Sequence, residues 1–260
     1  MLITLIAARL ALQGTKFGGG GTPVVERLTF TTGQEARAGK NYQKSESGFS
    51  LKKVRISFRT DSHTRNMISH SSMKVIFIPG NNGGTTQDQW FPYVKRELEK
   101  FGLTVVAATF PDPILAREQY WLPFLKELGA HENTILIGHS SGAVAAMRFA
   151  ENNKVLGSVL IGACYTDLND EMEKKSGYYN RPWDWETIKA NQRWIIQYAS
   201  ADDPYIPVEE ARHIHTQLGT EYYEYKDQGH FGESARPKPE FPEVIEAIKK
   251  RLSQEQDSAR

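Results

Sequence analysis

The sequence predicts an α/β fold in which one parallel β-sheet is covered by helices on both faces. From residue 73 onward, short apolar runs alternate with segments whose apolar residues recur at helical spacing. The apolar runs are continuous, as in strands that are buried on both faces of a parallel sheet. We therefore expect one compact domain over residues 73–260, which the chain length of 260 residues allows.

The strands are recognised by apolar, β-branched runs that end in turn-forming residues. KVIFI runs into the loop PGNNGG, and LTVVAATF is closed by Pro111 and Pro113. TILI leads directly into a helix rich in small residues. The strands are expected at residues 74–78, 103–110, 134–137, 158–161, 194–198 and 221–225.

The helices are recognised by apolar residues on one side and charged residues on the other. In the first helix, Phe91, Val94 and Leu98 share a side. Pro123 is expected to kink the second helix, because proline lacks the N–H that the helix ladder needs. The helices are expected at residues 88–101, 115–128, 141–152, 208–218 and 243–252.

Composition excludes several classes of protein. Hydrophobic residues make up 39% of the chain and charged residues 24%, which is enough apolar material for a core and excludes wholesale disorder. No apolar run reaches the roughly 18 residues that a membrane helix needs. The net charge of +1 gives no reason to expect a nucleic acid or an acidic membrane surface as a partner.

Neither a metal nor a cofactor is expected. A single cysteine, Cys164, excludes a disulfide framework and a cysteine-based metal site, and we expect it to be inert packing. The His, Asp and Glu residues show no convincing metal-ligand spacing. The glycine-rich loop at residues 79–84 lacks both G-x-G-x-x-G and the Lys-Ser/Thr pair of a phosphate-binding loop.

Residues 1–72 differ in composition from the rest of the chain. They carry 11 Lys and Arg against 4 Asp and Glu, and they contain a run of four glycines. We predict a disordered or dispensable basic leader, because so little apolar surface cannot offset the ordering entropy. There are two alternatives. The apolar N-terminal residues, which include Arg9, could target the protein to mitochondria, or the segment could be a structured extension. The expected location is otherwise cytoplasmic.

The motif G-x-S-x-G occurs at residues 138–142 as GHSSG, between a predicted strand and a predicted helix. A turn this tight leaves no room for side chains at Gly138 and Gly142, and it raises the Ser140 hydroxyl above the sheet edge. The N–H of Ser141 lies at the helix N-terminus, where developing negative charge is favoured. Ser140 is therefore the predicted nucleophile, and an ordinary turn with a surface serine is the alternative.

A nucleophilic serine needs a histidine base, and the base needs an orienting acid. In enzymes with this motif the chain order is serine, acid, histidine. His230 lies in a loop between the last strand and the final helix, whereas His213 and His215 lie within a predicted helix. The acid is expected after the strand WIIQY, where Asp203 is favoured and Asp202 is the alternative.

Several motifs together resemble the retinoblastoma-binding protein 9 family, small serine hydrolases of the α/β-hydrolase superfamily. The motifs are IPGNNGG, GHSSGAVAAMRFAE, SGYYNRPWDWE, SADDP and GHF, and the resemblance covers residues 73–252. It implies an α/β-hydrolase fold, a triad at Ser140, Asp203 and His230, and no metal or cofactor. It also implies small ester or amide substrates, including aminoacyl compounds with bulky apolar groups.

Further residues are predicted to stabilise the oxyanion or to line the substrate pocket. The N–H groups of Ser141 and Asn81 are expected to form the oxyanion hole. The segment at residues 166–191 is either a cap over the acyl pocket or aromatic packing on the sheet. The candidate pocket residues are Trp90, Trp121, Trp183 and Phe231. For Trp90 and Trp121, a place in the core is the alternative.

A second function class stays open: a protein-interaction module that keeps the fold with vestigial activity. The family resemblance implies an L-x-C-x-E segment that engages retinoblastoma protein. The matching stretch here is Leu128-Gly129-Ala130-His131-Glu132, in which Ala130 replaces the cysteine. We therefore do not expect that partner, and a small-molecule substrate is the favoured one.

Overall fold

The computed structural model describes residues 73–232 and 235–258, together with the backbone of residues 28–29 and 35–36. The chain divides into two units, Met1–Thr64 and Arg65–Arg260. In the first unit, strand β1 (Leu28–Thr29) pairs antiparallel with strand β2 (Glu35–Ala36). Apart from this pair, the predicted leader over residues 1–72 lies outside the described residues.

The second unit contains a parallel sheet whose strands alternate with helices. The sheet order is β4-β3-β5-β6-β7-β8, and each neighbouring pair is parallel. The strands are β3 (Lys74–Ile78), β4 (Thr104–Val106), β5 (Thr134–His139), β6 (Gly157–Ile161), β7 (Trp194–Ser200) and β8 (Glu221–Tyr225). The helices are α1 (Phe91–Lys100), α2 (Glu118–Glu127), α3 (Ser141–Ala150), α4 (Glu171–Ser176), α5 (Trp185–Ala190), α6 (Val208–Leu218) and α7 (Pro242–Ser258).

A hydrophobic core lies on each face of the sheet, because successive residues of a strand point to opposite faces. Ile76 and Ile78 of β3 join a cluster that includes residues of α2, α3 and α6. Val75 and Phe77 of the same strand join a second cluster, which includes residues of α1 and α7. Helices therefore cover both faces, and the predicted α/β fold is confirmed.

Strand β4 is shorter than the predicted 103–110. It lies at the edge of the sheet, and its pairing ends where Val106 meets Ile76 of β3. Beyond that point the Ala108 carbonyl accepts a hydrogen bond from the Thr86 hydroxyl, and the Phe110 ring packs against another aromatic ring. The remaining apolar residues of this run therefore serve a loop and the core instead of the sheet.

Two helices begin three residues later than predicted because carboxylates organise turns ahead of them. Asp88 accepts hydrogen bonds from the backbone N–H and hydroxyl of Thr85, and α1 starts at Phe91. Asp112 accepts from the backbone and guanidinium of Arg117, and α2 starts at Glu118.

Residues 166–191 form two short helices that the sequence patterns did not predict. Asp170 caps α4, and its carboxylate accepts the N–H of Glu173. Asp184 caps α5 in the same way, through the N–H of Thr187. Such N-caps stabilise short helices by satisfying backbone donors that lack a partner within the helix.

A buried guanidinium fastens this segment to α3. Arg148 is fully buried, and it donates hydrogen bonds to the carbonyl oxygens of Tyr178, Arg181 and Pro182. It also forms an ion pair with Glu151, whose side chain is 7% exposed. The segment is therefore held against the helix that begins directly after Ser140.

Candidate active site

The turn between β5 and α3 holds Ser140 in a strained conformation, with φ 56° and ψ −126°. A Cβ atom at Gly138 would lie 2.3 Å from the Gly142 carbonyl oxygen, and one at Gly142 would lie 2.2 Å from the Ile78 carbonyl oxygen. Both positions therefore require glycine, as the motif indicates. The Ser140 N–H donates to the Ile161 carbonyl at 2.8 Å and fixes the turn against β6.

His230 and Asp203 form a tight pair. Nδ1 of His230 donates to Oδ2 of Asp203 at 2.7 Å, and their side chains are only 10% and 3% exposed. The other Asp203 oxygen accepts the N–H groups of Tyr205 and Ile206 at 2.9 and 3.1 Å. With Nδ1 donating, Nε2 of the neutral imidazole is left as the proton acceptor.

Gly162 leaves room for the imidazole beside the serine turn. A Cβ atom at Gly162 would lie 3.1 Å from Cε1 of His230, and the residue has a φ of +56°. Gly162 directly follows Ile161, which accepts the Ser140 N–H. The structure thus brings His230 next to the Ser140 turn, although the two described side chains are not hydrogen-bonded to each other.

Asp202, the alternative acid, has a different environment. Its Oδ1 accepts the Ser200 hydroxyl at 2.7 Å and the Gly229 N–H at 2.8 Å, and its Oδ2 pairs with Arg236. Hydrogen bonds from Arg236 and Ser200 lower the pKa of Asp202 to about 2. Asp202 therefore ties β7 to the loop that carries His230, while Asp203 contacts the imidazole.

The two helical histidines stack on aromatic rings, and none of their described contacts is with His230 or Asp203. The His213 ring stacks on Tyr165 at 4.0 Å, and the His215 ring stacks on Tyr222 at 4.8 Å. Both are partly buried, because these tyrosines cover them.

Two backbone donors belong to residues close to Ser140 in the chain or in space. A Cβ atom at Gly80 would lie 3.3 Å from Cβ of Ser140, so the loop after β3 passes close to the serine. Among the described residues, the N–H of Asn81 in this loop and the N–H of Ser141 have no hydrogen-bond acceptor. Unpaired N–H groups near a helix N-terminus favour an anion.

Glu173 on α4 is a site residue that the sequence patterns did not indicate. Its Oε1 accepts hydrogen bonds from Asn81 Nδ2 at 2.7 Å and from the Ser141 hydroxyl at 3.3 Å. Its Oε2 accepts the Tyr179 hydroxyl at 3.1 Å. Burial raises the pKa of Glu173. Asp170 followed three residues later by Glu173 is a pattern typical of a helix N-terminus, so the helix was predictable. The pattern does not show where the Glu173 carboxylate lies.

The candidate pocket residues are packed into the interior. Trp90, Trp121 and Phe231 are fully buried. The Trp90 indole donates to the Phe231 carbonyl at 2.9 Å, and the Phe231 ring stacks on Phe241. Trp183 is partly buried and lies under Arg148. These contacts favour the alternative of a core role, and a pocket role for these residues stays a prediction.

Other groups in the described part of the chain give no sign of metal or membrane chemistry. No set of three His, Cys, Asp or Glu side chains there is placed to hold a metal ion. None of the helices described has the length and apolar character needed to cross a bilayer. Burial raises the pKa of the Cys164 thiol, which disfavours the reactive thiolate.

His139 holds the backbone of His230. Its Nε2 donates to the His230 carbonyl at 2.7 Å, and its ring lies 4.7 Å from the His230 ring. Burial, together with repulsion from His230, lowers the pKa of His139 to about 3. His139 is therefore neutral near pH 7 and serves as a hydrogen-bond donor.

This low pKa predicts a specific loss of stability in acid. Below about pH 6.5 the unfolded chain binds a proton at His139 that the folded chain binds only near pH 3. The stabilisation that neutral His139 gives the folded protein is complete above about pH 6.5 and is lost as the pH falls towards about 3. In urea unfolding between pH 7.5 and 5, we expect His139→Gln to lose less free energy of unfolding than the unmodified protein. Equal losses in the two proteins would contradict this expectation.

The sheet order, the strained Ser140 turn and the His230–Asp203 pair at the carboxyl ends of the strands define a protein of α/β-hydrolase fold. The sequence model described as "Serine hydrolase" matches residues 75–250. The chain belongs to this serine hydrolase family, and it is an enzyme of hydrolase type.

Relatives agree with this assignment. The chain is 45% identical over 186 residues to the serine hydrolase RBBP9 of Rattus norvegicus, a match that covers 70% of this chain and 97% of the relative. The crystal structure of the ydeN gene product from B. subtilis aligns with a TM-score of 0.63 at 25% identity, covering 70% of this chain and 99% of that one. The structure of Est1E from Butyrivibrio proteoclasticus aligns with a TM-score of 0.54 at 12% identity, and the alignment covers 72% of this chain and 88% of Est1E. This similarity shows a common fold and nothing more.

Proposed function

We propose that this chain hydrolyses small carboxylic esters or amides through a Ser140–His230–Asp203 triad and an acyl-enzyme. The observation that carries the proposal is the buried 2.7 Å hydrogen bond from His230 to Asp203. It fixes the tautomer in which Nε2 can accept a proton, on an imidazole that lies beside the strained Ser140 turn. The turn then serves as a nucleophile elbow.

In the first half of the reaction, His230 takes the proton of Ser140 as the hydroxyl oxygen attacks the acyl carbonyl. The tetrahedral oxyanion is held by the N–H groups of Ser141 and Asn81, each worth on the order of 10²–10³ in kcat. When the intermediate collapses, His230 gives its proton to the leaving alcohol or amine. Asp203 stabilises the imidazolium while it carries that proton.

In the second half, water attacks the acyl-enzyme as His230 accepts one of its protons. The same two N–H groups hold the second oxyanion. The carboxylic acid then leaves and Ser140 regains its proton from His230. No redox or metal step is required.

Exposed apolar groups near the site support a substrate with an apolar part. Tyr205 is 61% exposed, and its ring lies edge-on at 5.2 Å from the His230 ring. Ile114 is 54% exposed, and its carbonyl oxygen accepts the N–H of Asn82 in the loop after β3 at 3.0 Å. Large exposed side chains at a site edge are ready contacts for apolar substrate groups. They favour aminoacyl or related substrates with a bulky apolar side chain.

The test is turnover of short-chain p-nitrophenyl esters and of aminoacyl naphthylamides by the purified protein. We expect turnover that a fluorophosphonate probe abolishes by covalent labelling of Ser140. A protein that never reacts with the probe and cleaves no acyl substrate would instead belong to the second candidate class, an interaction module with vestigial activity.

The proposal includes a cytoplasmic location and a small-molecule partner. Mitochondrial targeting by residues 1–72 is the alternative, and fractionation of a tagged full-length chain distinguishes the two. Release of a shortened chain into the mitochondrial fraction would overturn the cytoplasmic location. Binding of retinoblastoma protein is not part of the proposal, because Ala130 replaces the motif cysteine.

A further inference from the structure

The His230 loop, residues 228–232, accepts hydrogen bonds from two buried ring donors. Nε1 of Trp90 donates to the Phe231 carbonyl at 2.9 Å, and Nε2 of His139 donates to the His230 carbonyl at 2.7 Å. Trp90 is fully buried, and its ring meets the His139 ring edge-on at 6.2 Å. Trp90 directly precedes α1 and His139 ends β5. Two consecutive carbonyl groups of the loop are thus held by neighbouring side chains from two other elements.

The backbone of the His230 loop is strained. Phe231 has a φ of 56°, a region that residues with large side chains seldom adopt. Strain of this kind persists only where the surrounding contacts determine the conformation. A Cβ atom at Gly232 would lie 2.7 Å from Cγ of Gln89, so the residue before Trp90 also packs closely on the loop. The path of the loop therefore depends on its contacts with these neighbours.

His139 connects the His230 loop to the nucleophile turn. It is the residue before Ser140 in the chain, and its side chain bonds the backbone of His230. The separation between Oγ of Ser140 and Nε2 of His230 therefore depends on the His139 bond and on the neighbouring bond from Trp90. Misplacement of a reacting group by about 1 Å can slow a reaction on the order of 10²-fold.

We propose that Trp90 and His139 are positioning residues for the general base, and that their hydrogen bonds hold the imidazole of His230 where it can reach Ser140. This inference rests on the proposed function. It adds two side chains that act through the loop backbone and not on the substrate. If the indole N–H is removed, the Phe231 carbonyl loses this donor in the protein interior. Such a loss is costly, so the loop is expected to shift towards another donor.

The first experiment uses Trp90→Phe, which removes the indole N–H and keeps an aromatic ring. We expect kcat/KM for a p-nitrophenyl ester to fall on the order of 10²-fold. The rate at which a fluorophosphonate labels Ser140 should fall by a similar factor, because labelling needs the same base. In proton NMR, the downfield resonance of the Nδ1–H between His230 and Asp203 should shift or broaden, which a loss of stability alone would not cause.

Trp194→Phe is the matched control. Trp194 is also buried, at 5% exposure, and its indole N–H has no hydrogen-bond partner among the described residues. It is the first residue of β7, whereas Asp203 follows the other end of that strand. The same reduction in ring size should lower the stability of both variants. We expect Trp194→Phe to keep the turnover, the labelling rate and the NMR resonance of the unmodified protein.

A second pair of variants tests the other donor and does not depend on the folding of Trp90→Phe. His139→Gln places an amide N–H at about the reach of Nε2, whereas His139→Leu has no donor. We expect His139→Leu to lose kcat/KM on the order of 10²-fold, and His139→Gln to lose clearly less. Rescue by the variant that keeps the donor distinguishes a positioning hydrogen bond from simple packing.

Four results would overturn the inference. The first is unchanged kcat/KM in Trp90→Phe, and the second is an equal fall in Trp90→Phe and Trp194→Phe. The third is a fall in Trp90→Phe that leaves the NMR resonance unchanged, and the fourth is an equal fall in His139→Leu and His139→Gln. In each of these cases the unmodified protein is active, so the proposed function stands. If the unmodified protein cleaves no acyl substrate and Ser140 resists the probe, the proposed function itself fails.

Discussion

Ser140→Ala is expected to abolish turnover of every ester and amide that the unmodified protein cleaves. Without the hydroxyl, no acyl-enzyme forms, and only binding and the oxyanion donors remain to assist water. In serine hydrolases with a complete triad, losses of this kind are on the order of 10⁶ in kcat. The measurement is steady-state hydrolysis of a p-nitrophenyl ester, together with loss of fluorophosphonate labelling.

The control for this experiment is Ser253→Ala. Ser253 lies on α7, where its hydroxyl bonds only the Lys249 carbonyl of the preceding helical turn among the described residues. This variant should retain full turnover and labelling. Unchanged hydrolysis by purified Ser140→Ala, or labelling of a different serine, would contradict the assignment of the nucleophile.

Asp203→Asn is expected to lower kcat on the order of 10⁴-fold while the fold stays intact. An asparagine amide at this position donates a hydrogen bond to Nδ1, so the imidazole proton moves to Nε2. Nε2 can then no longer accept the proton of Ser140. The amide oxygen can still accept hydrogen bonds from the N–H groups of Tyr205 and Ile206, and these bonds keep the loop in place.

Asp202→Asn separates the two neighbouring acids. Asp202 pairs with Arg236 on the surface, with side chains 32% and 50% exposed, and such pairs are worth about 0–1 kcal/mol. The asparagine oxygen can still accept the Ser200 hydroxyl and the Gly229 N–H, so we expect this variant to retain most of its activity. A larger loss of kcat in Asp202→Asn than in Asp203→Asn would reverse the assignment of the acid.

The fold and the elements around Ser140 were predictable because their determinants are local. A strand, a G-x-S-x-G turn and a helix follow each other without interruption, and the two glycines are required by contacts within that turn and with the end of β3. Helix α6 and strands β3 and β8 also match the predicted bounds. The spacing of the apolar residues was sufficient for α6, and the continuous apolar run was sufficient for β3.

The choice between Asp202 and Asp203 shows where local patterns end. The two residues are adjacent and chemically identical, so composition could not separate them. Their roles depend on the loop that carries His230, which brings Gly229 to Asp202 and the imidazole to Asp203. The sequence analysis favoured Asp203 but left Asp202 open, and in the folded arrangement of β7 and this loop it is Asp203 that contacts the imidazole.

Glu173 was missed for a related reason. Its partner Asn81 is 92 residues away in the chain, and nothing in the residues around α4 indicates which part of the sheet edge this helix will meet. The tryptophans among the candidate pocket residues pose a similar difficulty. Their aromatic character suits a pocket as well as a core, and the surrounding strands decide between the two.

The guanidinium of Arg148 also bears on how substrates reach the site. Lifting residues 178–182 off α3 would strand a cation in the interior without its carbonyl acceptors, which costs several kcal/mol. We therefore expect residues 178–182 to stay packed on α3 during catalysis. Substrates are then expected to reach Ser140 without movement of this segment.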